Sequence, residues 1–439
     1  MPGGDRGLVR TIGRWSLVAL MVNSILGAGV FGLPSILAAR IGAWSILACL
    51  ASGAGILIIA ACVAEVSSRF DETGGLYLYG RAAFGRFAGL AIAWLTWLMR
   101  VVAPAAGADL FATYAAQFFP VLQARWAAVA VLAVLIGHLA LFNYIGVKLG
   151  NRVSNVFTIV KTTFLLFFVL AGLATLWLRP ELRVSFAVAP VPAKNWFEVM
   201  LLLVYAYGGF EGALVVGGEA KNPKRDMPIA LLLALLVVCA IYTGAQYVVM
   251  ATLPNAGTSA RPLSDSALRF LGGWGAAAIG IAALISTYGY LSANMLHSSR
   301  ITFALSERGD FPAPLAKIHP KFRTPYVSIL LYAAMVLGFA VLGNFRWNAM
   351  LSAVARLAVY GAMGLAVPVL RRKLPGKAGF QLPVPYLFAA ASLLFAMALL
   401  SRMGRGEFAI LCATLLVALA NWAMVRNTQG KHLGIASES

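Results

Sequence analysis

Charged side chains stand inside four otherwise apolar runs of this sequence: Arg100 within 87–124, which also holds Asp109, Lys161 within 153–178, Glu211 within 196–218, which also holds Glu198 near its start, and Arg356 within 347–370. If these runs cross a bilayer, each charge costs about 2.5–3.5 kcal/mol on insertion scales, so it marks a cavity, a pair or a proton route. Glu211 has three readings. It titrates and couples a flux to protons, since burial raises a carboxyl pKa; it contacts a cationic ligand; or it forms a fixed ion pair with Arg356 or Arg100. Lys161 is either functional or a structural cation snorkelling to one face. Arg100 and Asp109 are about two and a half helical turns apart, too far to pair directly. Arg100 therefore lines a cavity or packs against a carbonyl or carboxylate.

Two glycine clusters offer backbone chemistry. Gly27-Ala28-Gly29-Val30-Phe31-Gly32 satisfies G-x-G-x-x-G, but a dinucleotide site needs a preceding strand and an acid about 20 residues on. The next acid here is Glu65, and Pro34 follows inside an apolar run. Close helix packing by small residues is one alternative. The other is a helix that breaks in mid-membrane, which survives only where its free N–H and C=O groups line a cavity. A half-helix starting near Gly29 would offer amides and a positive dipole end to a carboxylate. Carbonyls around Ser24 and Ile25 would accept from an ammonium. Tyr205-Ala206-Tyr207-Gly208-Gly209-Phe210-Glu211 places a second interruption inside another run, flanked by aromatics. Interruptions at corresponding places in two halves point to a binding site between them. The halves share no residue-level similarity, so that correspondence is positional.

Other motifs carry less. Ser286-Thr287-Tyr288-Gly289-Tyr290 has the wrong order for a potassium filter and lies in a 30-residue apolar run rather than a short re-entrant loop. His138 and His297 have no partner at i+4, and Cys49, Cys62, Cys239 and Cys412 lack metal-ligand spacing, so no metal or cofactor is expected. Asp71, Glu72 and the Lys221–Arg225 stretch read as loop charges, either solvated or paired across an inner mouth.

The elements that must hold these residues follow from composition. The chain has 439 residues, 61% hydrophobic and 11% charged, against about 25% charged in soluble domains. That excludes a soluble enzyme, a disordered chain and a disulfide scaffold. Uncharged runs at 15–39, 41–64, 126–147, 229–260, 270–299, 324–345, 378–401 and 408–425 join the four charged ones. Each is at or near the roughly 20 residues a helix needs to span a bilayer. The sequence thus predicts an all-α polytopic membrane protein of twelve spans, the first retained rather than cleaved. Of the 35 Lys and Arg residues, 22 fall on the side of the termini, ten on the other side and three within the membrane. Cytoplasmic loops carry the Lys/Arg excess, so both termini are expected in the cytoplasm. The net charge of +20 then needs no nucleic acid partner; the lipid bilayer is the partner.

Four segments also carry a resemblance. Ser24 to Phe31 (SILGAGVF) looks like a G-[SA]-G-[IV]-F break, and Glu65 to Gly85 (EVSSRFDETGGLYLYGRAAFG) like a T-G-G-x-Y-x-Y exit followed by F-G. Glu219 to Ala230 (EAKNPKRDMPIA) matches E-x-x-N-P-x-R-x-x-P-x-A. Ser299 to Pro325 (SRITFALSERGDFPAPLAKIHPKFRTP) looks like S-R-x-x-x-A, D-G-x-x-P and T-P in order, with Arg308 standing where the second motif has Asp. With these motifs the whole chain resembles the amino acid–polyamine–organocation superfamily of transporters.

The resemblance implies a LeuT-like five-plus-five inverted repeat, at 1–180 and 195–375, with two additional helices at 380–427. It implies alternating access to a central amino acid site. The substrate carboxylate would meet amides near Gly27, Ala28 and Gly29. Its ammonium would meet carbonyls near Ser24 and Ile25 and in the Tyr205–Gly208 stretch. Tyr205 falls six residues before Glu211, where the arginine/agmatine antiporter branch has an aromatic gate followed by a glutamate. Asn294 falls at a substrate-facing position of that branch, whereas Ser24 and Ala28 differ from its residues. Tyr205, Tyr207 and Phe210 would suit a neutral side chain. Lys161 looks like the lysine that replaces the second sodium ion in L-type and cationic branches, and would bond carbonyls near Gly27 and the hydroxyl of Ser286. The expected activity is sodium-independent amino acid transport across the cytoplasmic membrane, as a proton symporter or an exchanger. A cationic amino acid or polyamine antiporter is the alternative. A polytopic membrane enzyme is remote, because the 15 acids and 4 histidines form no cluster.

Overall fold

A computed structural model describes residues 12–70, 75–146, 151–186, 189–214, 220–376 and 378–433, with side chains described outside 151–160 and 425–433. Asp71, Glu72 and Glu219 lie outside the described residues. The helices are α1 (Arg14–Ile25), α2 (Gly29–Ile41), α3 (Trp44–Ser67), α4 (Gly75–Phe84), α5 (Arg86–Ala115), α6 (Arg125–Tyr144), α7 (Asn151–Leu178) and α8 (Ala193–Tyr207). They continue with α9 (Phe210–Ala213), α10 (Pro223–Thr252), α11 (Pro262–Glu307), α12 (Tyr326–Leu342), α13 (Phe345–Lys373), α14 (Pro385–Leu400) and α15 (Arg405–Leu433). Among the described residues the only β pairing is a single parallel bridge between Ile12 and Ala220.

The sequence explains the punctuation. Pro223, Pro262 and Pro385 open their helices, where a missing N–H costs nothing. Asn344 caps α13, its side-chain oxygen accepting from the Trp347 amide at 2.9 Å. Among the described residues, eight helices are long and apolar enough to cross a membrane, or nine if α1 and α2 form one bent span. The runs at 196–218, 324–345 and 378–401 give shorter helices, α8, α12 and α14, of 15, 17 and 16 residues. In the first case Gly208 stops the helix; in the others proline and glycine trim the ends. An all-α polytopic membrane protein is the result.

Helix α5 runs through the middle, packed on α4, α11, α12, α13 and α15. Its buried Ala103, Ala105, Ala106, Gly107 and Ala108 permit that close approach. Pro104 lacks the N–H that would bond the Arg100 carbonyl. The Tyr332 hydroxyl donates to that carbonyl instead, at 2.7 Å.

One end of the bundle is tied by charge. Glu65 is fully buried and accepts from Arg69 Nη2 (2.8 Å), Arg371 Nε (2.7 Å), Arg371 Nη2 (2.8 Å) and the Leu382 amide (2.9 Å). This joins the end of α3 to α13 and to the segment before α14. Nearby, Arg14 pairs with Asp226 at 2.8 Å, fixing the start of α1 to α10.

Candidate functional site

Two helices break, and the breaks touch. Between α1 and α2 the chain turns by 51° across Leu26, Gly27 and Ala28. Between α8 and α9, Gly208 is extended and Gly209 has φ of +118°, a left-handed conformation that favours glycine. A Cβ on Gly209 would stand 2.3 Å from the Ser24 carbonyl oxygen, and one on Gly29 would stand 3.0 Å from the Ala206 backbone. Only hydrogen fits at Gly209, and at Gly29 a methyl would fit only if the α8 backbone gave way by a few tenths of an ångström. The Ser24 hydroxyl donates to the Gly209 carbonyl at 2.5 Å. Tyr242 links the same two breaks, its hydroxyl lying 3.1 Å from Ile25 O and 3.0 Å from Ala206 O.

The freed backbone groups divide by type. Among the described residues, the amides of Gly27, Ala28 and Gly29 make no backbone hydrogen bond outside a helix, and the first amides of α2 have no helical partner. The carbonyls are largely engaged. Lys161 Nζ donates to Asn23 O at 2.7 Å and Leu26 O at 2.6 Å. The break is thus held by an ammonium and a phenol, the Gly27 amide itself facing the Tyr242 hydroxyl, and the N-terminal end of α2 presents the amides of Ala28 and Gly29.

Charge beneath the second break is also arranged. Glu211 Oε1 lies 3.0 Å from Arg356 Nη1. Glu211 Oε2 accepts from the Gly209 amide at 2.9 Å and the Tyr360 hydroxyl at 3.0 Å. Arg356 and Tyr360 are four residues apart on α13, hence on one face. Phe210 stacks on Tyr360 with ring centroids 5.2 Å apart. Of the three readings of Glu211, the ion pair with Arg356 is the one present in this conformation.

A cavity of about 400 Å³ reaches the breaks, lined by Ser24, Lys161, Gly209, Glu211, Ser286 and Asn294 among others, and extends to exposed Arg300. A second cavity, of about 200 Å³, shares Arg100 and Glu211 with it and lies under Tyr77 of α4. Tyr77 donates to Asp310 at 2.5 Å, and Arg81 donates to Tyr77 at 3.0 Å. Burial first, and then the Asp310 carboxylate, pushes the Tyr77 phenol above its ordinary pKa.

The expected site residues separate on this geometry. Ser24, Asn294, Ser286, Lys161 and Glu211 line the larger cavity. Ile25, Gly27, Ala28, Gly29 and Gly208 form the breaks themselves. Tyr205 lies on the far side, its ring 6.0 Å from that of Phe345. Two expectations meet a different arrangement. Tyr207 turns away, donating to Cys49 O at 2.8 Å and packing on Tyr242, because its position on α8 faces α3. Lys161 bonds the carbonyls of Asn23 and Leu26, and the buried Ser286 hydroxyl has no hydrogen-bond partner among the described residues. Tyr242 and Tyr360 carry no signal in the sequence beyond a phenol in an apolar helix, which needs a partner for its hydroxyl. Tyr290, part of the filter-like Ser286–Tyr290 stretch, lines the larger cavity.

Known proteins place this geometry in context. The chain is 28% identical over 412 residues to the methylthioribose transporter of Bacillus subtilis (strain 168), covering 89% of this chain and 88% of that one. It is 28% identical over 391 residues to the serine/threonine exchanger SteT of the same organism, covering 87% and 88%. It is 26% identical over 420 residues to its branched-chain amino acid permease BcaP, covering 91% and 90%. These relatives are a transporter, an exchanger and a permease, and the expectation of a non-enzymatic protein agrees with them. Residues 12–419, nearly the whole chain, match the amino acid permease family, and the chain belongs to it.

Proposed function

We propose that this protein carries amino acids across the cytoplasmic membrane by secondary transport with alternating access. The single observation that carries this reading is the contact between the two helix breaks, with the N-terminal end of α2 beside it and a cavity arriving at their junction. A zwitterion would place its carboxylate on the amides of Gly27, Ala28 and Gly29. Its ammonium would meet the Ser24 carbonyl and the carbonyls of the Tyr205–Gly208 stretch. The cavity opens toward Arg300, while Tyr205 and Phe345 cover the opposite side of the break. One-sided access of this kind is half of an alternating cycle.

The finer features belong to the same proposal. Twelve spans form two inverted repeats, 1–180 and 195–375, followed by two helices at 380–427, with both termini cytoplasmic. Transport is sodium-independent, because the Lys161 ammonium already occupies carbonyls at the α1 break that would otherwise suit a metal cation. It runs as exchange or as proton symport, in which Glu211 would titrate by leaving Arg356. The ion pair at 3.0 Å commits the Glu211 charge internally, which favours zwitterionic over cationic substrates.

Reconstitution of the purified chain into liposomes tests the reading. Saturable uptake of amino acids, accelerated by unlabelled substrate on the opposite side, is the expected result. Chemical conversion of the solute, or flux without saturation, would replace it with an enzyme or a channel. A Glu211→Gln variant that keeps the parent pH dependence would remove the proton role.

A further inference from the structure

The larger cavity carries an excess of positive charge. Arg100, Lys161, Arg300 and Arg356 line it, against one carboxylate, Glu211. Three of these cations are accounted for. Arg356 is paired with Glu211, Lys161 is bonded to two carbonyls, and Arg300 is exposed with its Nη1 on the Leu296 carbonyl at 2.9 Å. Arg100 differs from all of them. Among the described residues its guanidinium makes no ion pair and donates no hydrogen bond, and its buried Nε has no partner. Asp109, the one acid of α5, is occupied elsewhere, accepting from the Asn348 side-chain amide at 3.2 Å.

Its position is suited to a ligand. Arg100 is partly buried and lines both cavities. A methyl placed on Gly212 would lie 3.4 Å from Ser24 Oγ and 3.8 Å from Arg100 Nη2, so the guanidinium reaches the junction of the two breaks. Pro104 and Tyr332 fix the backbone from which it extends. Glu211 lines the same two cavities but holds its contact with Arg356, and a guanidinium left without a carboxylate in contact seeks one that it can grip with two parallel hydrogen bonds.

We infer that Arg100 receives a second anionic group on the substrate, and that dicarboxylic amino acids are the preferred class. This deepens the transport reading and rests on it. The α-carboxylate uses the amides of the α1–α2 break, and the side-chain carboxylate, two or three carbons away, pairs with Arg100. Aspartate and glutamate have that form; their amides and the cationic amino acids do not.

Uptake by proteoliposomes of the full chain tests this with labelled glutamate and glutamine, and with aspartate and asparagine, side by side. The expected KM for each acid is at least about ten-fold below that for its amide, the size of one charge-assisted hydrogen-bond pair. Arg100→Gln brings that ratio close to one, and Arg100→Lys retains part of it. Parent protein that takes glutamine or arginine in preference to both acids would overturn the inference while leaving amino acid transport standing. So would an acid preference that survives Arg100→Gln. Replacing chloride with gluconate supplies another arm: a chloride requirement for neutral substrates would assign an inorganic anion to Arg100 instead. Absence of saturable uptake for every amino acid would remove the transport reading along with this one.

Discussion

Arg356 Nη1 lies 3.0 Å from Glu211 Oε1, and it also fills the space where a Cβ on Gly208 would stand. One guanidinium therefore neutralises the buried acid and requires glycine at the second break. Both side chains are about 5% exposed, so the pair lies away from screening solvent.

Removing one member of a buried pair strands the other's charge, at a cost of about 3–5 kcal/mol. Glu211→Gln is expected to lower the melting temperature of detergent-purified protein strongly. The double variant Glu211→Gln/Arg356→Gln should recover part of that loss. A Glu211→Gln variant as stable as the parent would show that the pair does not hold the break.

Gly208→Ala brings a methyl 1.4 Å from Arg356 Nη1, so the guanidinium must leave Glu211. Its expected cost resembles that of breaking the pair, with uptake lost in parallel. Gly137→Ala on α6 has nothing within 4 Å and should be neutral or stabilise by up to about 1 kcal/mol through helix propensity. Equal melting temperatures for the two variants would contradict the packing.

Lys161→Met keeps the bulk of the side chain but leaves the Asn23 and Leu26 carbonyls without their donor. Each unmet buried group costs about 1–3 kcal/mol, and the α1 break should loosen, measured as faster hydrogen exchange around Leu26. Parent uptake is expected to persist in sodium-free buffer; an absolute sodium requirement would end the proposed role of Lys161.

Glu65→Gln leaves Arg69 and Arg371 facing a neutral amide where four bonds now converge. The tie between α3 and the segment before α14 should weaken by about 3–5 kcal/mol. Hydrogen exchange at Leu382, whose amide donates to Glu65 Oε2, reads this directly. Unchanged protection there would exclude the tie.

Tyr77→Phe removes the hydroxyl that docks α4 on Asp310 and should speed exchange in α4 without unfolding the bundle. The sign of the pH effect follows from the raised phenol pKa. The docked state holds the Tyr77 proton more tightly than an undocked one. Docking is therefore at full strength below the ordinary phenol value of about 10 and is lost as pH climbs through the raised one. Docking that strengthens at alkaline pH would contradict the contact.

Much of the site could be read before any coordinates. Gly27–Gly29 and Gly208–Gly209 announced breaks because glycine pairs interrupt long apolar runs, and the backbone bends at both. Lys161 and Glu211 stood out because charge in such runs is costly. Their partners were harder. The sequence offers Glu211 two partners, Arg100 and Arg356, the latter 145 positions away, with no local signal to choose between them. Tyr242 and Tyr360 gave no warning, since a lone tyrosine in an apolar helix reads as core. Tyr207 shows the converse: two residues from Tyr205, it points to another helix because 3.6 residues per turn rotates its side chain away.

Composition and run length alone determined an all-helical membrane protein, because a chain with so few charges cannot cover a watery surface and an unpaired backbone cannot cross lipid. Glycine placement determined where helices would stop. Only the tertiary structure decided which charges satisfy one another. It gave Glu211 to Arg356 and the α1 carbonyls to Lys161, and left Arg100 facing the cavity. Pairing depends on distances between segments far apart in sequence, and those distances exist only once the helices pack.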